Sequence, residues 1–290
     1  MEQRIVIDIE ANEDWSEVIR PQSSLLDLKL GELWRYRDLL YMFVKRDFVA
    51  TYKQTILGPL WFFIQPLLTT LTFMIVFGTI AGISTDGIPM MVFYMSGITL
   101  WNYFAECLNK TSTVFKDNAN IFGKVYFPRL IMPLSIVVSN LVRLGIQMML
   151  FLFVWVYYLI EGDLLHPNAF LLMVPYLIFL MAILGLGSGM LISALTTKYR
   201  DLVFLLSFGV QLLMYATPVI YSMNTLPAKY AWLIKINPLS HIIETFRYAF
   251  TGSGVFSWYY LGYSTVFAVV LLAIGTLVFN KVEKSFMDTV

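Results

Sequence analysis

The chain has 290 residues but only one cysteine, two histidines and 13% charged side chains. Each shortage excludes something. A lone cysteine, Cys107, rules out an intrachain disulfide. His166 and His241 sit on separate segments and form no metal cluster. There is no glycine-rich loop ending in Gly-Lys-Ser/Thr, so the chain cannot hydrolyse nucleotide by that machinery alone. No pair of carboxylates lies within an apolar segment. That argues against a membrane-embedded enzyme, and the scarcity of intramembrane carboxylates argues against an ion-coupled secondary transporter.

What is present is apolar. Hydrophobic residues make up 58% and mean hydropathy is +0.71, beyond soluble averages. Five runs carry no Lys, Arg, Asp or Glu: Gln54–Thr85, Gly87–Ala105, Leu164–Thr197, Leu202–Ala228 and Tyr248–Asn280. A sixth, Leu130–Ile160, carries only Arg143. A helix of about 20 residues crosses a hydrocarbon core of about 30 Å. The pattern therefore predicts an all-α membrane protein with six transmembrane helices over residues 54–290. Ahead of them come a flexible acidic segment, 1–24, and an amphipathic helix, 25–53.

Cations orient the spans. Sixteen of the twenty Lys and Arg fall before span 1, between spans 2 and 3, between spans 4 and 5, and after span 6. The opposite side holds only Lys229, Lys235 and Arg247. The positive-inside rule then places both termini in the cytoplasm. The first 24 residues hold six acidic side chains against two arginines, unlike a cleavable signal peptide, so span 1 is expected to act as the insertion signal.

Several irregular features stand out. In 25–53, Leu26, Leu30, Leu33, Leu40, Val44, Phe48 and Tyr52 recur at helical spacing, which suits a helix, or two, lying in the headgroup region. It reads equally as a surface anchor and as a gate or docking surface. Span 1 contains Pro59 and Pro66 and should be kinked. The stretch Asn109–Phe127 fits a short helix parallel to the membrane that turns aromatic knobs toward the cytoplasm. Gly185, Gly189 and Ser193 form a small-residue stripe for close helix packing. Asn237-Pro238 reads as a helix start, predicting short outer helices that dip into the boundary between spans 5 and 6. There Ile242, Ile243, Phe246 and Phe250 share one face, leaving His241, Glu244 and Arg247 elsewhere.

Arg143 lies deep in span 3, where a guanidinium is costly unless paired or hydrated. It fits first a structural ion pair or snorkelling, and second a contact to an anionic substrate. Glu106 lies one turn from Lys110 and can pair with it. Aromatic residues make up 16% of the chain. Trp61, Phe62, Phe63 and Phe73 surround Gln65 in span 1; Phe204, Phe208 and Tyr215 accompany Gln211 in span 5. Flat rings stack on sugars and amides bond hydroxyls, so these faces could line a glycan path, although interface belts give the same composition.

Four local sequences, TYKQTILGPLWFFIQP, YFPRLIMPLS, KYRDL and ATPVIYS followed by NPL, resemble the membrane subunit of type-2 ABC exporters for polysaccharides: O-antigen, teichoic acid and capsule exporters. The resemblance runs from about Leu30 to the C-terminus. It implies a bacterial inner-membrane homodimer working with two copies of a separate cytoplasmic ATPase that binds Mg-ATP, so this chain itself binds no cofactor and is no enzyme. It implies that Phe115, Lys116, Asn118 and Phe122 belong to an ATPase-coupling helix, and that Trp34, Tyr36 and Arg37 meet a lipid-linked polysaccharide at the cytoplasmic entrance. A conduit would then be formed by Trp61, Phe62, Gln65, Phe73, Phe208, Gln211 and Tyr215, with Arg143. The same architecture exporting a small lipid, drug or peptide is the nearest alternative. Nothing points to nucleic acid.

Overall fold

A computed structural model describes residues 30–287 except 54–55, 123, 126, 163–164, 200 and 226. The acidic segment 1–24 and the start of the 25–53 helix lie outside the described residues. What is described is helical throughout, with no strand.

The N-terminal helix is two helices, α1 (Leu30–Arg35) and α2 (Arg37–Tyr52), broken at Tyr36. A 3₁₀ turn at Gly58–Leu60 leads into α3 (Trp61–Phe73), which carries Pro66 and ends in a π-helical stretch, Met74–Ile80. Proline contributes no N–H to the helix, and π turns reset its register, so span 1 is irregular at several points. Next come α4 (Met90–Ser112), the short α5 (Val114–Asp117) and α6 (Ala119–Phe122), and the long α7 (Ile131–Glu161). A 3₁₀ turn, Ala169–Met173, opens α8 (Val174–Lys198), and α9 (Leu202–Tyr215) follows. The last elements are α10 (Ala228–Ile236), α11 (Pro238–Thr251) and α12 (Trp258–Met287). The Asn237 side chain caps α11 by accepting the Leu239 N–H at 3.1 Å, with Pro238 in the first turn, as its sequence predicts.

Among the described residues, four helices are long and apolar enough to cross a membrane: Trp61–Ile80, Ile131–Glu161, Ala169–Lys198 and Trp258–Val282. Six were expected. The two shortfalls have different causes. α9 has 14 residues, about 21 Å of helix, because the uncharged run 202–228 turns at Ala216 instead of continuing. α4 has 23 residues, but its sequence is more polar. It lies against α3, α7, α8 and α11, and every residue from Val92 to Trp101 is buried. A helix covered by protein need not match lipid. The final run also divides: 248–251 finish α11, and Gly252 at φ 71° turns the chain. A Cβ there would lie 2.6 Å from the His166 carbonyl oxygen, so only glycine fits.

α8 is sandwiched between α4 and α12, and the small-residue stripe explains how. A Cβ on Gly185 would stand 2.7 Å from Cys107 Cβ, and one on Gly189 2.5 Å from Thr111 Cβ; Gly187 meets Leu272 on the other side. The stripe is a packing device, as read from sequence.

The connections gather at two ends. At one, Phe43 of α2 packs on Phe127 (5.7 Å), Phe115 stacks on Phe279 of α12 (4.6 Å), and the Thr196 hydroxyl of α8 donates to the Ser112 carbonyl. At the other, Asn224 (2.9 Å) and Ser222 donate to Asp86, the His166 N–H donates to the Thr251 carbonyl (3.0 Å), and the Tyr263 hydroxyl donates to the Ile236 carbonyl (2.9 Å).

Candidate functional site

Two exposed aromatic faces flank α4. α3 packs on α4 and α7, while α9 packs on α4 and α8. Both turn bulky side chains outward: Trp61 and Leu68 from α3, with Ile75 from the π-helical stretch after it, and Phe204, Phe208, Leu212 and Tyr215 from α9. Gln65 and Gln211 are exposed beside them. Phe62 is half-buried, and the Arg143 guanidinium lies 5.2 Å from its ring centre. Phe73 departs from the expected lining. It stands edge-on to Phe77 (5.3 Å) and Tyr94 (6.3 Å), so it pins α3 to α4 rather than joining the exposed face.

Arg143 is paired. Its Nη1 lies 3.3 Å from Glu106 Oε2, and the Lys110 ammonium approaches the same oxygen at 3.2 Å. Both sequence pairings, Arg143 with a carboxylate and Glu106 with Lys110, therefore meet on one atom. Around this triad lies a polar chamber of about 110 Å³ between α3, α4 and α7, walled by Gln65, Asn102, Tyr103, Asn140 and Gln147. Asn140 and Arg143 also wall a larger cleft of about 500 Å³, bounded by α2, the α5–α6 connection and α7.

Helix α2 borders that cleft with Arg46, Asp47, Phe48 and Ala50, and the N-terminal helices pack inward through part of the predicted stripe, Leu33 and Leu40, with further residues added. Phe43 is the buried residue of α2, with Leu33, Tyr36, Leu39 and Leu40 packed beside it. Phe43 was absent from the predicted apolar stripe, although its spacing from Leu39 and Leu40 fits one. Of the entrance residues, Trp34 is 73% exposed and Arg37 packs over it at 5.7 Å, whereas Tyr36 turns inward. The aromatic knobs of the α5–α6 connection also turn inward. Phe115 and Phe122 are buried, 5.8 Å apart, and Phe122 stacks on Phe127. They hold the connection to its own bundle. It exposes Lys116, Asp117, Asn120, Lys124 and the apolar Val125, and the Asn118 amide donates to the Val114 carbonyl (3.0 Å).

The opposite end holds a cluster built from the residues that the sequence sets apart from the apolar face of α11. Glu244 and Arg247 are 0% and 1% exposed. Arg247 Nη1 donates to Glu244 Oε1 at 2.6 Å, Nη2 donates to the Pro218 carbonyl at 3.0 Å, and the guanidinium lies 3.8 Å from the Phe93 ring centre. The second Glu244 oxygen accepts the Val255 N–H at 3.4 Å. Burial pushes the Glu244 carboxyl up from its ordinary value and the Arg247 guanidinium down, each partner pulling against the shift. His241 is buried too, stacked on Tyr260 at 4.5 Å with its Nε2 bonded to the Lys235 carbonyl at 2.8 Å. Burial lowers its pKa; the Lys235 carbonyl opposes that shift and the Lys235 charge adds to it. The available signal was the three-residue spacing of Glu244 and Arg247, which puts an ion pair on one helix face.

Residues 38–251 match the model of the family described as "ABC-2 type transporter". The chain is 27% identical to an O-antigen export system permease protein RfbA of Klebsiella pneumoniae, over 87% of this chain and 94% of the relative. It is 25% identical to the O-antigen export system permease protein RfbA of Myxococcus xanthus, covering 89% and 98% of the two chains. The polysialic acid transport protein KpsM of Escherichia coli is 22% identical over 80% of this chain and 89% of its own length.

Proposed function

The chain belongs to the ABC-2 type transporter family, and on that footing we propose that it is the membrane subunit of an ATP-driven exporter of a lipid-linked polysaccharide, with O-antigen as preferred cargo. The observation that carries this reading is similarity along 87% of the chain to permeases named for O-antigen export. The exposed aromatic and amide faces of α3 and α9 suit such a cargo, because rings stack on sugars and amides bond their hydroxyls. Those faces are unpartnered within one subunit. A second copy would oppose them and close a conduit, with Trp61, Gln65, Phe208, Gln211 and Tyr215 along its wall.

Six crossings with both termini cytoplasmic fit the two gathered ends, since α3, α4, α7, α8, α9 and α12 run alternately between them. The positive-inside count gives the same orientation. ATP would be bound and hydrolysed, with magnesium, by two copies of a cytoplasmic partner resting on the α5–α6 connection. Because Phe115 and Phe122 are internal, the partner would meet Lys116, Asp117 and Lys124. The complex would sit in the bacterial inner membrane, with α10 and α11 shaping the exit.

Affinity purification of the tagged subunit from its own cells tests this directly. An ABC ATPase should co-purify, and depletion of the subunit should remove the surface glycan while lipid-linked glycan accumulates inside. A subunit that purifies without an ATPase, or a depleted strain with normal surface glycan, overturns the reading.

A further inference from the structure

We infer that the cleft between α2, α4 and α7 is a docking site for a phosphate ester with adjoining hydroxyls, the head of the lipid-linked sugar, occupied before the cargo reaches the conduit. This rests on the exporter reading and adds a location to it. The cleft's volume, about 500 Å³, lies within the roughly 300–1,000 Å³ of small-molecule sites. Its chemistry divides in two. The wall holds Lys110 and Arg143, two cations sharing one carboxylate oxygen of Glu106. The ammonium has three donors and is 41% exposed, so it can turn to an incoming anion while Glu106 keeps Arg143. Ser139 adds a hydroxyl whose oxygen is buried without a hydrogen-bond partner. The remaining charges on the wall are already engaged: Arg46 with Asp47 (2.8 Å), and Asp117 with the Thr113 hydroxyl (2.6 Å).

Around the same Glu106 and Arg143, the adjoining chamber is rich in amides. Asn140 is 2% exposed, and its Nδ2 donates to Cys107 Sγ at 3.7 Å. Its Oδ1 has no partner. A buried amide oxygen left in this way costs free energy until a donor reaches it. An anion cannot supply that donor and a hydroxyl can. Gln65, Asn102 and Gln147 line the adjoining chamber with further amides. An anion followed at short range by hydroxyls is a sugar phosphate. The amphipathic α2 along the rim places the cleft at the membrane surface, where such a head on a lipid tail would arrive.

The full complex with its ATPase, in phosphatidylcholine nanodiscs, would be titrated with farnesyl diphosphate, with farnesol, and with farnesyl diphosphate in discs containing phosphatidylglycerol. Farnesyl diphosphate should bind at least tenfold tighter than farnesol. Lys110→Gln and Ser139→Val should each weaken it about tenfold, Lys110→Arg should retain it, and phosphatidylglycerol should not displace it. Equal binding by farnesol, wild-type affinity in both weakened variants, or displacement by phosphatidylglycerol would each overturn the assignment. The last result would make the cleft a general anionic-lipid site. If the ATPase stays bound and export continues while the variants bind normally, only this inference falls. If no ATPase accompanies the subunit, the exporter reading falls instead.

Discussion

The buried Glu244–Arg247 cluster gives the most demanding stability test. Replacing Arg247 by methionine keeps most of the side-chain volume but removes the charge that Glu244 faces at 2.6 Å. Glu244 is fully buried, so water cannot take the place of the lost partner. Breaking a buried pair from one side costs about 3–5 kcal/mol, most of it the penalty of the stranded charge. The Arg247 bond to the Pro218 carbonyl (3.0 Å) and its place over Phe93 vanish as well. At about 2–4 °C per kcal/mol, the midpoint of thermal unfolding should fall by roughly 10 °C. Glu244→Leu should act similarly, because it strands the guanidinium. The double variant, Glu244→Leu with Arg247→Met, strands nothing and should recover most of the loss, since apolar replacement of a whole buried pair is often neutral. The assay is the fraction of detergent-solubilised subunit that remains monodisperse after heating, for the four members of the cycle. A double variant as unstable as the sum of the singles, or singles within about 2 °C of wild type, would refute the argument that the pair is held by mutual neutralisation.

Gly189→Ala should lower the same midpoint, because its Cβ would stand 2.5 Å from Thr111 Cβ and overpacking costs about 1–3 kcal/mol; Gly209→Ala, which meets nothing within 4 Å, should be neutral or slightly stabilising, and the two midpoints measured side by side check this. His241 contributes a pH dependence whose sign is fixed by its burial beside Lys235, Tyr260 and Tyr263. Its folded pKa lies below the unfolded value of about 6.5, so the unfolded chain binds the proton more tightly. Stability from this group is complete above about pH 6.5 and declines as the pH falls through that value toward the lower folded one. His241→Gln should flatten the unfolding midpoint between about pH 5 and 7; an unchanged slope would remove His241 from the account.

The helical fold, the short helices between α9 and α12 and the packing role of the glycine stripe were all legible in the sequence, because each depends on local pattern alone. The Asn237 cap is the clearest instance, being specified by two adjacent residues. Where the sequence misled, the missing information was the identity of the neighbours. Phe115 and Phe122 have the composition of protruding knobs, yet Phe279, 164 positions further along the chain (279 − 115), covers Phe115. Phe73 shares a helix with Trp61 and Gln65 but meets Tyr94 of α4.

The same distinction explains the charges, where it bears most on function. A count of cations per loop orients a chain because it asks only which side of the bilayer a residue occupies. That count places Arg247 among the loop cations, yet it is not a surface residue. It is bound into α11 by Glu244 and tied to the turn after α9 by Pro218. Arg143 shows the converse. Its depth in span 3 marked it from sequence, and Glu106 answers it, but Glu106 answers Lys110 at the same oxygen. One carboxylate shared by two cations, beside an amide oxygen with no donor, leaves the cleft able to accept an anion and a hydroxyl together. Neither feature is written in any single segment, since α2, α4 and α7 must first be assembled before it exists.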